Sequence, residues 1–299
     1  MQAYSKIQRK IISHPKSAVD EVRKILNRHA GRANTCLKCG CIWAQHIHHT
    51  SKSWVRNYRC THCNKTYSEF LGTIFFRSKL KPSEWLIALL ELSTATGGVS
   101  GTTLGKKIGR QRKTGWKLLK NIREWLLQKR SQQKPLFSWE TEADEAWFGR
   151  GDNQEIILGI IQRDPRRVSV QVIPDVKERT LWPIVRNTIT PGSLFCTDMR
   201  ISYSIAGIHY HHATNNHSKR EFGHRYTNSE WRELMIHSNT IEQLWWQFKW
   251  VIRTIHHGVS KKYRMSYLNE QIIRYEHGKD SNLYYYFLSL LFIPTFSGT

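Results

Sequence analysis

The residues of this sequence richest in chemistry are four cysteines and a few carboxylates. Cys36-x2-Cys39 and Cys60-x2-Cys63 form two close pairs with 20 residues between them, each on a knuckle-like turn, L-K-C-G and T-H-C-N. Four thiolates at this spacing make a closed, tetrahedral, structural Zn²⁺ site. Cys41, His46, His48 and His49 lie close by, although the paired cysteines need no help. Farther on, Asp144 and Asp198 are isolated acids at the edges of apolar, strand-like runs, and Glu242 lies in S-N-T-I-E-Q-L-W-W-Q-F-K. Glu242, Trp246, Lys249 and Arg253 recur at helical spacing and share one face. On a single helix such an acid and base are ordinarily a surface pair. Three carboxylates drawn from distant segments suit something else, an oxygen site for two Mg²⁺ or Mn²⁺ ions about 3.5–4 Å apart that supports phosphoryl transfer. Glu145 points to the opposite face of its strand and is the weaker candidate. Asn239 could share the metal shell or hold a nucleic acid, and Lys249 could contact a phosphate beside the acids.

These residues need elements to position them. Ser238, Asn239 or Thr240 can cap the helix that carries Glu242. Ahead of it, Trp139–Gly149, Glu155–Ile161 and Arg167–Ile173 read as strands, 177–189 as a helix, Leu194–Thr197 as a buried strand ending at Asp198, and Gly207–His212 as strand-like again. A β-β-β-α-β-α order with acids at strand ends is that of an RNase H-like layer, a mixed sheet flanked by helices. Residues 80–130 read as helices, the first opened by Pro82. Leu104 and Ile108, a tight turn at Gly109, and an inner face of Trp116, Leu119 and Ile122 give helix-turn-helix organisation. Its second helix begins with Arg110, Arg112 and Lys113, followed by Lys117, the end that would enter a major groove.

Charge points to a polyanion. Residues 1–137 carry 27 Lys+Arg against 6 Asp+Glu, a net of +21, whereas residues 138–299 carry 19 against 17, a net of +2. Such concentration in the front half fits nucleic acid better than a membrane surface. The first residues lack the apolar core of a signal peptide, and the apolar Leu283–Phe296 run is too short for a span. The paired cysteines are not a disulfide framework, so a cytoplasmic location is expected. The expected division is a basic helical arm (1–33), a zinc ribbon (34–78), a helix-turn-helix domain (79–131), an RNase H-like α/β catalytic domain (138–285) and a C-terminal tail (286–299).

The stretches Y-R-C-T-H-C-N-K-T-Y-S, L-G-T-I-F-F-R-S-K-L, A-D-E-A-W-F-G, C-T-D, N-N-H-S, H-S-N-T-I-E-Q-L-W-W-Q-F-K and H-H-G-V-S together resemble the zinc-ribbon DDE transposases of bacterial insertion sequences. The resemblance runs from about Cys36 to about His277. It implies that Asp144, Asp198 and Glu242 are the catalytic acids and metal ligands, with Asn239 the alternative third residue and Lys249 seven residues beyond Glu242. The sequence departs from the family pattern at Ala143, Ala146-Trp147, Arg150 and Gln243, none of which removes an acid. The implied activity is metal-dependent cleavage of transposon-end DNA and joining to target DNA by a homo-oligomer, nucleoid-associated when bound. The alternative is a non-catalytic zinc and helix-turn-helix DNA-binding protein.

Overall fold

A computed structural model of the protein describes residues 15–30, 34–43, 45–51, 54–132, 136–198, 206–215, 224–227, 233–278 and 283–292. They fall into two compact units, residues 1–130 with 280–299, and residues 131–279.

In the front unit, helix α1 (Pro15–Ala30) opens on a proline, whose fixed φ suits the start of a helix. The part of the expected arm ahead of Pro15 lies outside the described residues. Val19, Val22, Ile25 and Leu26 are buried, so this face of the expected arm is packed. Strands β1 (Gln45–Thr50), β2 (Arg56–Cys60) and β3 (Thr66–Ser68) form an antiparallel sheet in that order. Arg23 from α1 donates to both oxygens of Glu69, at 2.7 and 3.0 Å, and the N–H of Arg56 donates to the same carboxylate at 2.7 Å. This joins α1 to the end of the small sheet.

Helices α2 (Pro82–Thr94), α3 (Gly101–Lys107) and α4 (Arg112–Ser131) follow. The α3–α4 turn holds Gly109 at φ +65°, a conformation that costs glycine little. The two helices cross at glycines: a Cβ on Gly115 would lie 2.4 Å from the Gly101 carbonyl oxygen. Only a bare backbone allows this approach, and it buries Leu104, Leu118, Leu119 and Ile122. Trp116, expected on the inner face, is instead 40% exposed with the Lys120 ammonium 6.0 Å over its ring. The glycine crossing takes the place at the contact that a large ring would have filled. Helix α8 (Leu283–Phe292) packs on α1 and α2 of this unit. Residues 286–292, expected as the start of a tail, are therefore part of a packed helix, and the expected boundary at 285 cuts it.

The back unit is a five-stranded mixed sheet in the order β6-β5-β4-β7-β8, made of β4 (Glu140–Phe148), β5 (Glu155–Gln162), β6 (Arg167–Ile173), β7 (Leu194–Asp198) and β8 (His211–Asn215). The β4–β5 and β5–β6 pairs are antiparallel, and β4–β7 and β7–β8 are parallel. Helix α5 (Glu178–Thr188) makes the β6-to-β7 crossover and covers one face, burying Ala143, Leu158, Ile160, Leu181, Val185 and Phe195. Helices α6 (Asn239–Thr254) and α7 (Lys261–His277) cover the other, burying Ala146, Phe148, Ile157, Ile161, Leu244, Phe248 and Leu268. This is the expected RNase H-like layer. Residues 206–208 form a 3₁₀ turn rather than strand, so the last strand of the sheet starts at His211. A two-stranded antiparallel ribbon, β9 (His224–Thr227) with β10 (Glu233–Ile236), precedes α6.

Candidate active site and metal centre

The four cysteines gather as their spacing predicts. The sulfurs of Cys36, Cys39, Cys60 and Cys63 all lie within 4.8 Å of one another. Cys36 Sγ is 3.9 Å from Cys63 Sγ, and Cys39 Sγ is 3.8 Å from Cys60 Sγ. A tetrahedron with metal–sulfur bonds of about 2.3 Å has edges of about 3.8 Å, so the cluster has the dimensions that Zn²⁺ requires. Gly40, at φ +75°, donates its N–H to the Cys36 carbonyl at 2.9 Å and closes the first knuckle. The amide of Lys38 points at Cys36 Sγ, 3.4 Å away. In the second knuckle the backbone N–H of Cys63 stabilises the Cys60 thiolate, which outweighs burial and lowers that thiol to about 7. Cys41 stands apart, its thiol facing the Ile42 carbonyl at 3.9 Å. Among the described residues, the buried cluster around the sulfurs consists of Cys36, Cys60 and Tyr67, with four half-buried neighbours.

In the back unit, alternation along β4 sends Glu142, Asp144, Ala146 and Phe148 to the α6–α7 face. Asp144 lies within the strand, paired opposite Gly159 of β5, not at its edge as expected. The unpaired edge is on the other side, where the parallel ladder with β7 ends at Glu142 opposite Cys196. Two residues beyond that pair stand Asp144 on β4 and Asp198 on β7. Glu242 comes from the first turn of α6. That helix can approach because Gly159 has no side chain: a Cβ there would sit 2.5 Å from the Trp245 ring and 2.7 Å from Ile241. The Ser238 hydroxyl donates to Glu242 Oε1 at 2.8 Å, which fixes this carboxylate against the helix start.

Burial first, and then the charges of Glu145, Asp198 and Glu242, push the Asp144 carboxyl up to about 7. Both other sequence-predicted acids, Asp198 and Glu242, therefore act on Asp144. They are spaced more widely than the thiolates, since among the described residues no three carboxylates bring their oxygens within 4.8 Å of one another. Glu145 is buried on the opposite face, as alternation requires. Asn239 is exposed at the first helical position of α6, and Lys249 is exposed farther along it with its ammonium 5.4 Å over the Phe148 ring. Asp144 and Asp198 are half-buried and Glu242 is exposed; carboxylates that repel one another, all hard oxygen donors, fit a divalent cation.

Of the basic residues singled out, Arg112, Lys113 and Lys117 are exposed on the first turns of α4, which hold no acid. Arg110 lies in the turn before the helix, and its Nε donates to Glu84 of α2 at 2.7 Å.

Sequence reading missed Glu142. It is fully buried, and its Oε2 accepts the N–H groups of Thr240 and Ile241, each at 3.0 Å. A strand residue thus caps α6, the task assigned by sequence to Ser238, Asn239 or Thr240. Burial opposes its charge, but hydrogen bonds from His237 and Thr240, with the Arg163 guanidinium, hold its carboxyl below the usual carboxylate range. The only signal for it was an acid two residues before Asp144 on the same strand face.

No described helix is long and apolar enough to cross a membrane. No curated protein matches this chain. Residues 140–276, nearly the whole back unit, match the model of the ISXO2-like transposase domain. With its mixed sheet, flanking helices and a preceding four-cysteine cluster that fits a zinc ribbon, the chain carries a DDE transposase domain of the ISXO2-like family.

Proposed function

We propose that this protein is a DNA transposase that binds transposon-end DNA with its front unit and cleaves and joins strands at Asp144, Asp198 and Glu242. The observation that carries the reading is the convergence of these three acids from β4, β7 and α6 on one side of the sheet. The three acids would hold Mg²⁺ or Mn²⁺, which when bound lowers the pKa of an attacking water or 3′-hydroxyl and stabilises the leaving oxygen. The chain's own part is to hold carboxylates that repel one another in a fixed place, ready for the cation. Lys249 contacts a DNA phosphate beside the acids, and Asn239, at the exposed start of α6, contacts DNA or stands in as the third ligand. Zn²⁺ on the four cysteines holds the ribbon. The protein works in the cytoplasm as a homo-oligomer on paired DNA ends.

The test is incubation of the full-length protein with labelled transposon-end duplex and a target duplex, in Mg²⁺ or Mn²⁺ and in EDTA. Metal-dependent nicking followed by joined product is expected. Undiminished cleavage in EDTA would end the metal proposal, and cleavage without joining would leave a nuclease.

DNA affinity should reside in the charge of the front half. Binding to any duplex should weaken steeply with salt, in proportion to the phosphates contacted. Arg112→Ala should lower preference for end DNA over random DNA by about 1–3 kcal/mol if its guanidinium reads a base edge. Competition binding at two salt concentrations measures both. An equal loss on all sequences would mark a phosphate contact, and no loss would reject α4 as the reading helix.

A further inference from the structure

One half-buried guanidinium touches β4, β7 and the segment that leads into α6, and so reaches each of the three places that position the acids. Arg163, just past β5, donates from Nε to Glu142 Oε1 of β4 at 2.7 Å and from Nη1 to Glu140 of the same strand at 2.6 Å. Its Nη2 lies 3.7 Å from Cys196 Sγ of β7. It also donates to the carbonyls of Met235 and, at 2.8 Å, His237, the residues that lead into α6. The His237 ring closes the group, with Nδ1 3.2 Å from Glu142 Oε1 and 3.3 Å from Arg163 Nη2. The second oxygen of Glu142 holds the first amides of α6.

Position gives this network its meaning. Glu142 is two residues before Asp144 on the same face of β4. Cys196, its register partner, is two residues before Asp198 on the same face of β7. The α6 amides that Glu142 accepts belong to residues one and two places ahead of Glu242. A planar guanidinium presents its donors in a rigid fork, and a carboxylate at a helix N-terminus fixes that helix end. Ordinary core packing would hold α6 to the sheet without setting its position along β4. The hydrogen bonds of Arg163 and Glu142 are directional and do set it.

We infer that Arg163 and Glu142 form a positioning clasp that sets the spacing of Asp144, Asp198 and Glu242, and so the affinity of the acids for divalent metal. Neither residue touches metal or DNA in this role. The inference rests on the transposase reading of the acids and is tested apart from it.

The experiment is a Mn²⁺ titration of the full-length protein, kept in zinc, followed by the electron paramagnetic resonance signal of free Mn²⁺, with cleavage at varied Mg²⁺ run in parallel. Arg163→Lys retains the charge but loses the fork. Glu142→Gln retains the shape and one acceptor oxygen but loses the ion pair. Each should weaken Mn²⁺ binding about 10- to 100-fold and raise the half-saturating Mg²⁺ for cleavage similarly, as losses of outer-shell partners do. Much of the cleavage rate should return at high metal. The control is Arg264→Lys, which perturbs a buried pair of this unit away from the acids' elements α6 and β7, Arg264 Nη1 to Glu155 at 2.9 Å, on α7 and β5. It should cost folding stability without changing Mn²⁺ affinity. If Arg163→Lys does not fold, Glu142→Gln decides by the same titration. Mn²⁺ affinity within twofold of the parent in both variants, or a loss matched by Arg264→Lys, would overturn the clasp. Parent protein whose Mn²⁺ binding is untouched by Asp144→Asn would overturn the assignment of the acids, and the clasp with it.

Discussion

Asp144→Asn and Asp198→Asn are each expected to abolish strand cleavage while leaving DNA binding intact. Asparagine keeps the shape of the side chain and removes the charge that a divalent cation needs. The loss should be about 10³-fold or more, equivalent to about 4 kcal/mol of transition-state stabilisation. Glu242→Gln should behave alike, and Glu145→Gln, buried on the far face of β4, should be milder. Asn239→Ala discriminates: if it stops cleavage and Glu242→Gln does not, the third ligand is Asn239. The measurement is cleavage and joining of labelled end DNA, with binding followed separately by mobility shift. Robust cleavage by Asp198→Asn would end the proposal.

The same substitution should have the opposite effect on stability. The Asp144 carboxyl, 3.8 in its ordinary state, is raised to about 7 in the fold, first by burial and then by neighbouring acids. A raised carboxyl binds its proton more tightly when folded. Its contribution is therefore fully present below about pH 4 and lost as pH rises to about 7. Without divalent metal the parent back unit should lose stability across that window, and Asp144→Asn should flatten the loss. Added Mg²⁺ or Mn²⁺ should restore the parent at pH 8 and do little for the variant. Thermal melts in EDTA and in metal at pH 5 and pH 8 measure this. A parent whose melting is indifferent to metal at pH 8 would count against a cation site. Stability gained where activity is lost is what a site of mutually repelling acids predicts.

The second large effect concerns the cysteine cluster. Cys36→Ser, or removal of metal by a strong chelator, should unfold the ribbon, with β1, β2 and β3 losing protection from hydrogen exchange together. The back unit should stay folded, since it has its own two-faced core. The reason lies in the small apolar cluster at the sulfurs, three buried residues among those described. So small a core cannot offset the entropy of ordering the segment, whereas a structural zinc contributes about 10–16 kcal/mol in isolated zinc-binding peptides. Removal should also loosen α1, which is tied to this sheet through Arg23 and Glu69. Elemental analysis should find one zinc per chain. Freshly purified, non-chelated protein free of zinc, or a ribbon equally protected after chelation, would refute the assignment.

Much of this protein was legible from local pattern. Doubled C-x2-C marked the cluster because thiolate spacing is a short-range property, and the four sulfurs do meet. Apolar runs marked β5, β6 and β7, and the turn at Gly109 was readable because positive φ favours glycine. The order of strands and helices then left few arrangements besides a mixed sheet with helices on both faces.

What sequence could not decide were matters of long-range partnership. In E-T-E-A-D-E the acids look alike, yet Glu142 caps a helix 98 residues away, Asp144 faces Asp198 and Glu242, and Glu145 is buried behind them. No local pattern singles out Arg163, and it becomes the hub of a half-buried network only when β4, β7 and the approach to α6 close around it. Trp116 has the spacing of a core residue and is left outside by a glycine crossing. The apolar run after Leu283 has the look of a core or docking segment, but only its contact with α1 and α2 shows which elements it packs on. Periodicity reports which side of an element is apolar, and so determines elements and faces. It carries no information on which distant group meets a charge, because burial and hydrogen bonding of that charge exist only once the chain has closed.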